Sequence, residues 1–191
     1  FTPWRPYKSK ASTVMNLKGE DELVNIYLTS EQDLQDVFLV THQAYGLRFS
    51  LDQVPVSGPK AAGVKSMNLK DEDYIVNGLL VYSNGDTPVV LVSQRSAVKR
   101  MLAQELPSAN RAGRGLMVFR ELKNHPHRVV FMGEGQEQTY QMQNQKGEVY
   151  ELHPTEFPIG ERTSNGSMMM NETDGGDVTS VEVIFPEPAN E

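Results

Sequence analysis

Cysteine is absent from the 191 residues, so no disulfide framework and no thiolate metal site can be part of this chain. That absence leans towards a reducing compartment. No apolar run approaches the roughly 20 residues that a membrane-spanning helix needs. The first ten residues hold Trp4 and Tyr7 among Pro and Lys and lack the apolar centre of a secretory signal. The chain begins at Phe1 rather than Met, which reads as a segment of something longer. Trp4 is the one tryptophan, too little to define a stacking platform. Basic side chains are in the minority, 18 against 25 acidic ones, and a net charge of −7 would by itself argue against a polyanionic partner. The charge is uneven, however. Residues 1–62 carry 6 basic and 7 acidic side chains, residues 63–114 carry 7 and 5, and residues 115–191 carry 5 and 13. The acidity belongs to the last third, and the total describes no single surface.

What the chain does have is repetition. Met67-Asn68-Leu69-Lys70-Asp71-Glu72-Asp73-Tyr74-Ile75-Val76-Asn77 echoes Met15-Asn16-Leu17-Lys18-Gly19-Glu20-Asp21-Glu22-Leu23-Val24-Asn25, 52 positions earlier, with eight of eleven positions identical. Gly63, Gly115 and Gly166 recur at spacings of 52 and 51, as do Val54-Pro55, Leu106-Pro107 and Phe157-Pro158. A period near 50 is the signature of a propeller or solenoid. Ahead of each apolar-Pro pair stand two short runs rich in Val, Phe, Tyr and Leu: 37–41 then 45–49, 89–93 then 98–102, and 139–142 then 147–152. Runs of that length and composition, separated by turn residues, predict antiparallel strands. Asn84-Gly85 and Lys146-Gly147 supply residues that tolerate positive φ in tight turns. Residues 93–104 have weak helical character, but their register with the 37–49 hairpin predicts strand.

These signals predict an all-β protein of four-stranded, blade-like units over about 11–62, 63–114, 115–165 and 166–185, with 186–191 as a tail. About three and a half such units make an incomplete ring. Within a unit the order is a Gly-opened strand, an acidic turn (18–22, 70–73), a β-branched strand, a hairpin, and an apolar-Pro loop.

Residues 45–49 (Tyr-Gly-Leu-Arg-Phe) and 55–70, with their Gly58-Pro59-Lys60-Ala61-Ala62-Gly63-Val64-Lys65 run, carry a family likeness. The sequence resembles the C-terminal domain of the A subunit of bacterial type IIA topoisomerases, nearest to topoisomerase IV of Gram-positive bacteria. The likeness covers roughly 8–185 and is strongest over 14–80. It implies a β-pinwheel, a propeller-like disc whose blades exchange a strand with their neighbours and whose outer rim binds and bends double-stranded DNA to guide strand passage. It further implies, as partners, the B subunit of topoisomerase IV together with the rest of the A subunit. No membrane is implied, and the location is bacterial, cytoplasmic and nucleoid-associated. The segment itself is then non-catalytic and holds no cofactor; ATP, Mg and the catalytic tyrosine belong to other parts of such an enzyme. The gyrase relatives carry a Gln-Arg-Arg-Gly-Gly-Lys-Gly box. Its nearest counterpart here, Trp4-Arg5-Pro6-Tyr7-Lys8-Ser9-Lys10, lacks the Gly pair, which favours topoisomerase IV over a gyrase DNA-wrapping domain.

Phosphate neutralisation by Lys and Arg supplies most DNA affinity and needs no base contact. The densest basic stretch is 95–114, where Arg95, Lys99, Arg100, Arg111 and Arg114 face the single acid Glu105. Lys60 and Lys65 stand at corresponding places one unit earlier, and Arg5, Lys8 and Lys10 form a secondary group. Small residues in Arg111-Ala112-Gly113-Arg114-Gly115 would let a phosphate approach backbone N–H groups. Taken singly, each is an ordinary surface charge; recurrence at equivalent positions makes the set a candidate DNA interface. A propeller serving as a protein-interaction scaffold is the rival reading, supported by the acidic last third. Residues 171–191 contain six acids and no base, a solubilising tail or a competitor for the rim. His125-Pro126-His127 reads as a surface loop rather than a metal pair, since no third ligand stands nearby. Met168-Met169-Met170 aligns with the Met67 strand and reads as core.

Overall fold

The computed structural model describes residues 13, 15–29, 35–58, 60–70, 72–170 and 176–185. Their regular structure is strand throughout, apart from three single turns of 3-10 helix at Leu51–Gln53, Ala103–Glu105 and Pro154–Glu156, each just ahead of an apolar-Pro pair. The strands are β1 (Gln35–Thr41), β2 (Tyr45–Ser50), β3 (Ile75–Tyr82), β4 (Pro88–Ser93), β5 (Ala97–Leu102), β6 (Leu116–Met117), β7 (Val129–Glu134), β8 (Tyr140–Asn144), β9 (Val149–Leu152), β10 (Ser167–Met168) and β11 (Val178–Val183).

The three hairpins β1–β2, β4–β5 and β8–β9 fall where the paired apolar runs predict them, including β5 in the stretch with weak helical character. Their turns share one chemistry. Ala44, Ser96 and Gly147 donate their N–H groups to the carbonyls of Thr41, Ser93 and Asn144, three residues back. All three sit at positive φ (65°, 62° and 78°). The hairpins then recruit strands from later in the chain. The first sheet runs β3-β1-β2-β6, the second β10-β5-β4-β7 and the third β11-β8-β9. Each therefore takes its hairpin from one repeat and its flanking strands from the next repeat or the next two.

Period-2 alternation lets one strand serve two cores. All six residues of β4 are buried. Val89 and Leu91 point into a cluster with Phe38, Val40, Met101, Leu106 and Phe119. Val90 and Val92 point the other way, into a cluster with Tyr140, Met142, Leu152 and Met170. Burial of this kind contributes roughly 1.5–3 kcal/mol per large side chain, and sharing β4 between clusters couples the sheets. Met67, Phe119 and Met170 recur at spacings of 52 and 51, and all three are buried. Met168 is half exposed, so within the methionine triplet it is Met170 that takes the core position.

Candidate nucleic-acid interface

β3 packs against β7, and β7 against β11, so these edges gather at the centre of the molecule. The opposite edges, β2 with β6 and β5 with β10, face outwards. Each outer edge is bordered by the apolar-Pro loop of the following unit. Ala109 N–H donates to the Arg48 carbonyl and Gly160 N–H to that of Arg100, both at 2.8 Å. Between loop and strand lies a cleft. One, of about 290 Å³, is lined by Gly46, Arg48, Leu106, Asn110, Arg114 and Gly115. Its counterpart one unit on, of about 210 Å³, is lined by Val98, Arg100, Phe157, Gly160, Asn165 and Gly166.

The recurring glycine is explained here. Gly115 and Gly166 hold φ of 82° and 74°. A Cβ at either would collide with the carbonyl of Gly46 or Val98 across the strand pair. Only glycine lets β6 and β10 lie this close to the neighbouring hairpin.

At the first outer edge the structure brings together three of the expected residues, Lys65, Arg111 and Arg114, while Lys60 sits one repeat earlier, its carbonyl accepting from Asn16 Nδ2 at 2.6 Å. Lys60 and Lys65 are exposed, and Arg111 and Arg114 are half-buried. Arg111 Nε donates to the Gln53 carbonyl at 2.9 Å, its N–H donates to Gln53 Oε1 at 2.7 Å, and its Nη1 donates to the Lys65 carbonyl. Lys65 Nζ donates to Asn68 Oδ1 at 2.9 Å. The Arg114 guanidinium carbon lies 4.5 Å from the Tyr45 ring centroid, a cation–π contact that fixes its direction. Arg95 belongs elsewhere, on the β4–β5 turn, with Nη1 donating to the His125 carbonyl at 2.6 Å. Arg100 lines the second cleft and is partly spent on structure, its Nε donating to the Gly135 carbonyl at 2.6 Å. Arg5, Lys8 and Lys10 lie outside the described residues.

Lys99 is corrected by the structure: it is 1% exposed and no phosphate can reach it. Its ammonium donates to the carbonyls of Val118 (2.7 Å), Ser164 (3.3 Å) and Arg162, and lies 5.2 Å from the Phe119 ring centroid. Three acceptors match its three donors. Burial pulls its pKa down from 10.5 to about 7, helped by the Arg162 charge and opposed by Glu105 and Glu161. Lys99 staples the second sheet to both ends of the third repeat. The expected surface loop at 125–127 also needs correction, because His127 turns inward. It is 4% exposed, stacks on Phe119 at 4.6 Å between ring centroids, and meets Ser93 Oγ at 3.1 Å through Nδ1.

Two basic residues at these edges were not singled out from sequence. Arg162 repeats Arg111 51 positions later: its N–H donates to Glu105 Oε2 at 2.8 Å and its Nη1 to the Met117 carbonyl at 2.5 Å. The offset from Arg111 was the signal that could have found it. Arg120 is exposed, and its N–H donates to the Ser164 carbonyl just as that of Asn68 donates to Gly113. Among the described residues no group of three or more His, Asp or Glu could hold a metal ion, and no helix is long and apolar enough to cross a membrane.

A family model described as DNA gyrase C-terminal domain, beta-propeller, matches residues 6–30, 35–81 and 87–133. The chain belongs to that family. This propeller domain is 43% identical over 174 residues to the A subunit of DNA topoisomerase 4 from Bacillus subtilis (strain 168), a match covering 91% of this chain and 21% of the relative. The domain thus spans about a fifth of the length of that curated relative. A solved C-terminal domain of DNA topoisomerase IV is 39% identical, with a TM-score of 0.82 over 93% of this chain and 56% of that one. A DNA gyrase A C-terminal domain superposes with a TM-score of 0.70 over 90% of this chain and 57% of that one; at 16% identity it shows the fold alone.

Proposed function

We propose that this propeller domain is the C-terminal, DNA-binding part of a topoisomerase IV A subunit, holding double-stranded DNA on its outer edges without reading sequence. The observation that carries the reading is the first outer edge, where Lys65, Arg111 and Arg114 converge, with Lys60 exposed on the same loop as Lys65. Relatives bearing the topoisomerase IV name at 43% and 39% identity support the assignment over gyrase. The domain does no chemistry. Strand passage, with its ATP, Mg and catalytic tyrosine, belongs to the B subunit together with the remainder of the A subunit, in the bacterial cytoplasm at the nucleoid.

Its contribution is mechanical. Bending 20–30 base pairs costs on the order of 1–6 kcal/mol, more than one lysine pair offsets, so contacts from successive sheets must act together. The test is binding to two unrelated duplexes of about 40 base pairs between 50 and 200 mM salt. Equal affinity for both sequences, falling steeply with salt, is expected. Absence of binding at 50 mM, or a strong sequence preference, overturns the reading.

A further inference from the structure

The outer edges of the three sheets do not carry the same charge. The first presents Lys65, Arg111 and Arg114. The second presents Arg120 and Arg162 beside Glu105 and Glu161. The third presents its hairpin, β8–β9. Sequence register sharpens the contrast. Arg48 and Arg100 occupy the same place in successive hairpins, and the next place is Glu151. Both arginines reach a carbonyl of the following unit, at Leu106 and Gly135. A carboxylate cannot donate, and Glu151 lies 3.3 Å from His153 Nε2 instead. Glu148 on the same edge is exposed, and its carboxylate accepts from Asn144 Nδ2 and the Tyr150 hydroxyl, which hold it ionised. Glu134, Glu137 and Glu151 line the adjoining cleft of about 610 Å³.

We propose that the DNA path over this domain is bounded, running along the outer edges of the first two sheets and ending before the third, whose acidic edge repels the phosphates. The inference rests on the DNA-binding reading and adds to it where the duplex leaves. Screening makes the local charge decisive. Over a Debye length of about 8 Å at physiological salt, a phosphate beside Lys65 does not feel Glu151 on the third hairpin. A phosphate brought to β9 meets Glu148 and Glu151 directly. A net charge of −7 is therefore compatible with a duplex held on the first two sheets.

The chain's lack of cysteine makes the path measurable. Ala62→Cys lies in the loop between Lys60 and Lys65, Asn165→Cys at the second edge, and Val149→Cys on β9; all three positions are exposed. Each variant, carrying a tethered iron–EDTA group, is mixed at low salt with a long duplex of arbitrary sequence and strand cleavage is read. Cleavage is expected from positions 62 and 165, with that from 149 lower by about tenfold or more, as expected where phosphates are excluded. Adding Glu148→Lys and Glu151→Lys to the Val149→Cys variant should raise its cleavage to the level of the others. Equal cleavage from all three positions, or no gain from the charge reversal, overturns the bounded path while leaving DNA binding intact. Failure of the unlabelled chain to bind duplex at all removes the DNA reading itself.

Discussion

Arg111 donates from Nη1 to the backbone carbonyl of Lys65, 46 positions earlier in the chain. Arg162 does the same to the carbonyl of Met117, 45 positions earlier. The contact ties the loop that displays Lys65 to the far end of the same repeat, so one arginine both adds charge to the outer edge and positions a neighbouring charge.

The two roles of Arg111 are separable. Arg111→Met should lower stability by about 1.5–3 kcal/mol, the range for hydrogen bonds to a charged group, and should also weaken duplex binding. Arg111→Lys restores the charge but not the planar fork. It should recover most of the binding and little of the stability, as read by urea unfolding alongside a binding titration. Full recovery of stability by lysine would contradict the positioning role.

Lys99 predicts a pH dependence of unusual sign. Its folded pKa, about 7, lies below the unfolded 10.5, so between those values the unfolded chain binds more protons. Stability contributed by this group therefore rises with pH through that window and is lost as pH falls towards 7. Tyr140, pushed up to about 12 by burial, subtracts stability only above 10, which leaves pH 7–10 for the lysine. Urea midpoints should climb across that range for the native chain and stay flat for Lys99→Met. That variant should be less stable, because the Val118, Arg162 and Ser164 carbonyls lose their donor. It should keep the native salt dependence of DNA binding, in contrast to what the sequence suggests for Lys99.

Glycine at the start of each repeat gives a graded test. Gly63 needs positive φ but has no atom within 4 Å of the place a Cβ would take, whereas Gly115 and Gly166 would also collide with a backbone carbonyl. Gly63→Ala should cost about 1–2 kcal/mol from left-handed backbone alone. Gly115→Ala and Gly166→Ala should cost more, because β6 and β10 must move off their hairpins. Thermal unfolding of the three variants ranks them, and equal losses would contradict the close-approach argument.

The hairpins, the turns and the period were legible in the sequence because they are local: two β-rich runs three or four residues apart meet each other across a tight turn. The recruitment of β6 and β10 was legible only through the family likeness. Each is a strand of two residues, too short for any pattern, and its partner lies about 70 residues upstream. Lys99 was misplaced for a different reason. It lies between Ala97 and Met101 on the face of β5 that enters the first core cluster, and Leu47 holds its place one repeat earlier. Strand alternation points inward there, but the charge of the side chain suggests the surface. The meeting of Lys65 with Arg111 was not legible, because they stand 46 positions apart and the repeat register matches Arg111 to Lys60 instead.

DNA binding by the exposed loop that carries Lys60 and Lys65 is tested most directly by the salt dependence of duplex affinity for the native chain and for a Lys60→Ala, Lys65→Ala double variant. Both side chains are exposed, so the substitutions remove charge without disturbing packing. Each phosphate contact contributes about 0.9 to the slope of log affinity against log salt. The slope should therefore shrink by about 1.8 in the double variant, equally for unrelated sequences. An unchanged slope would mean that this loop does not hold the DNA.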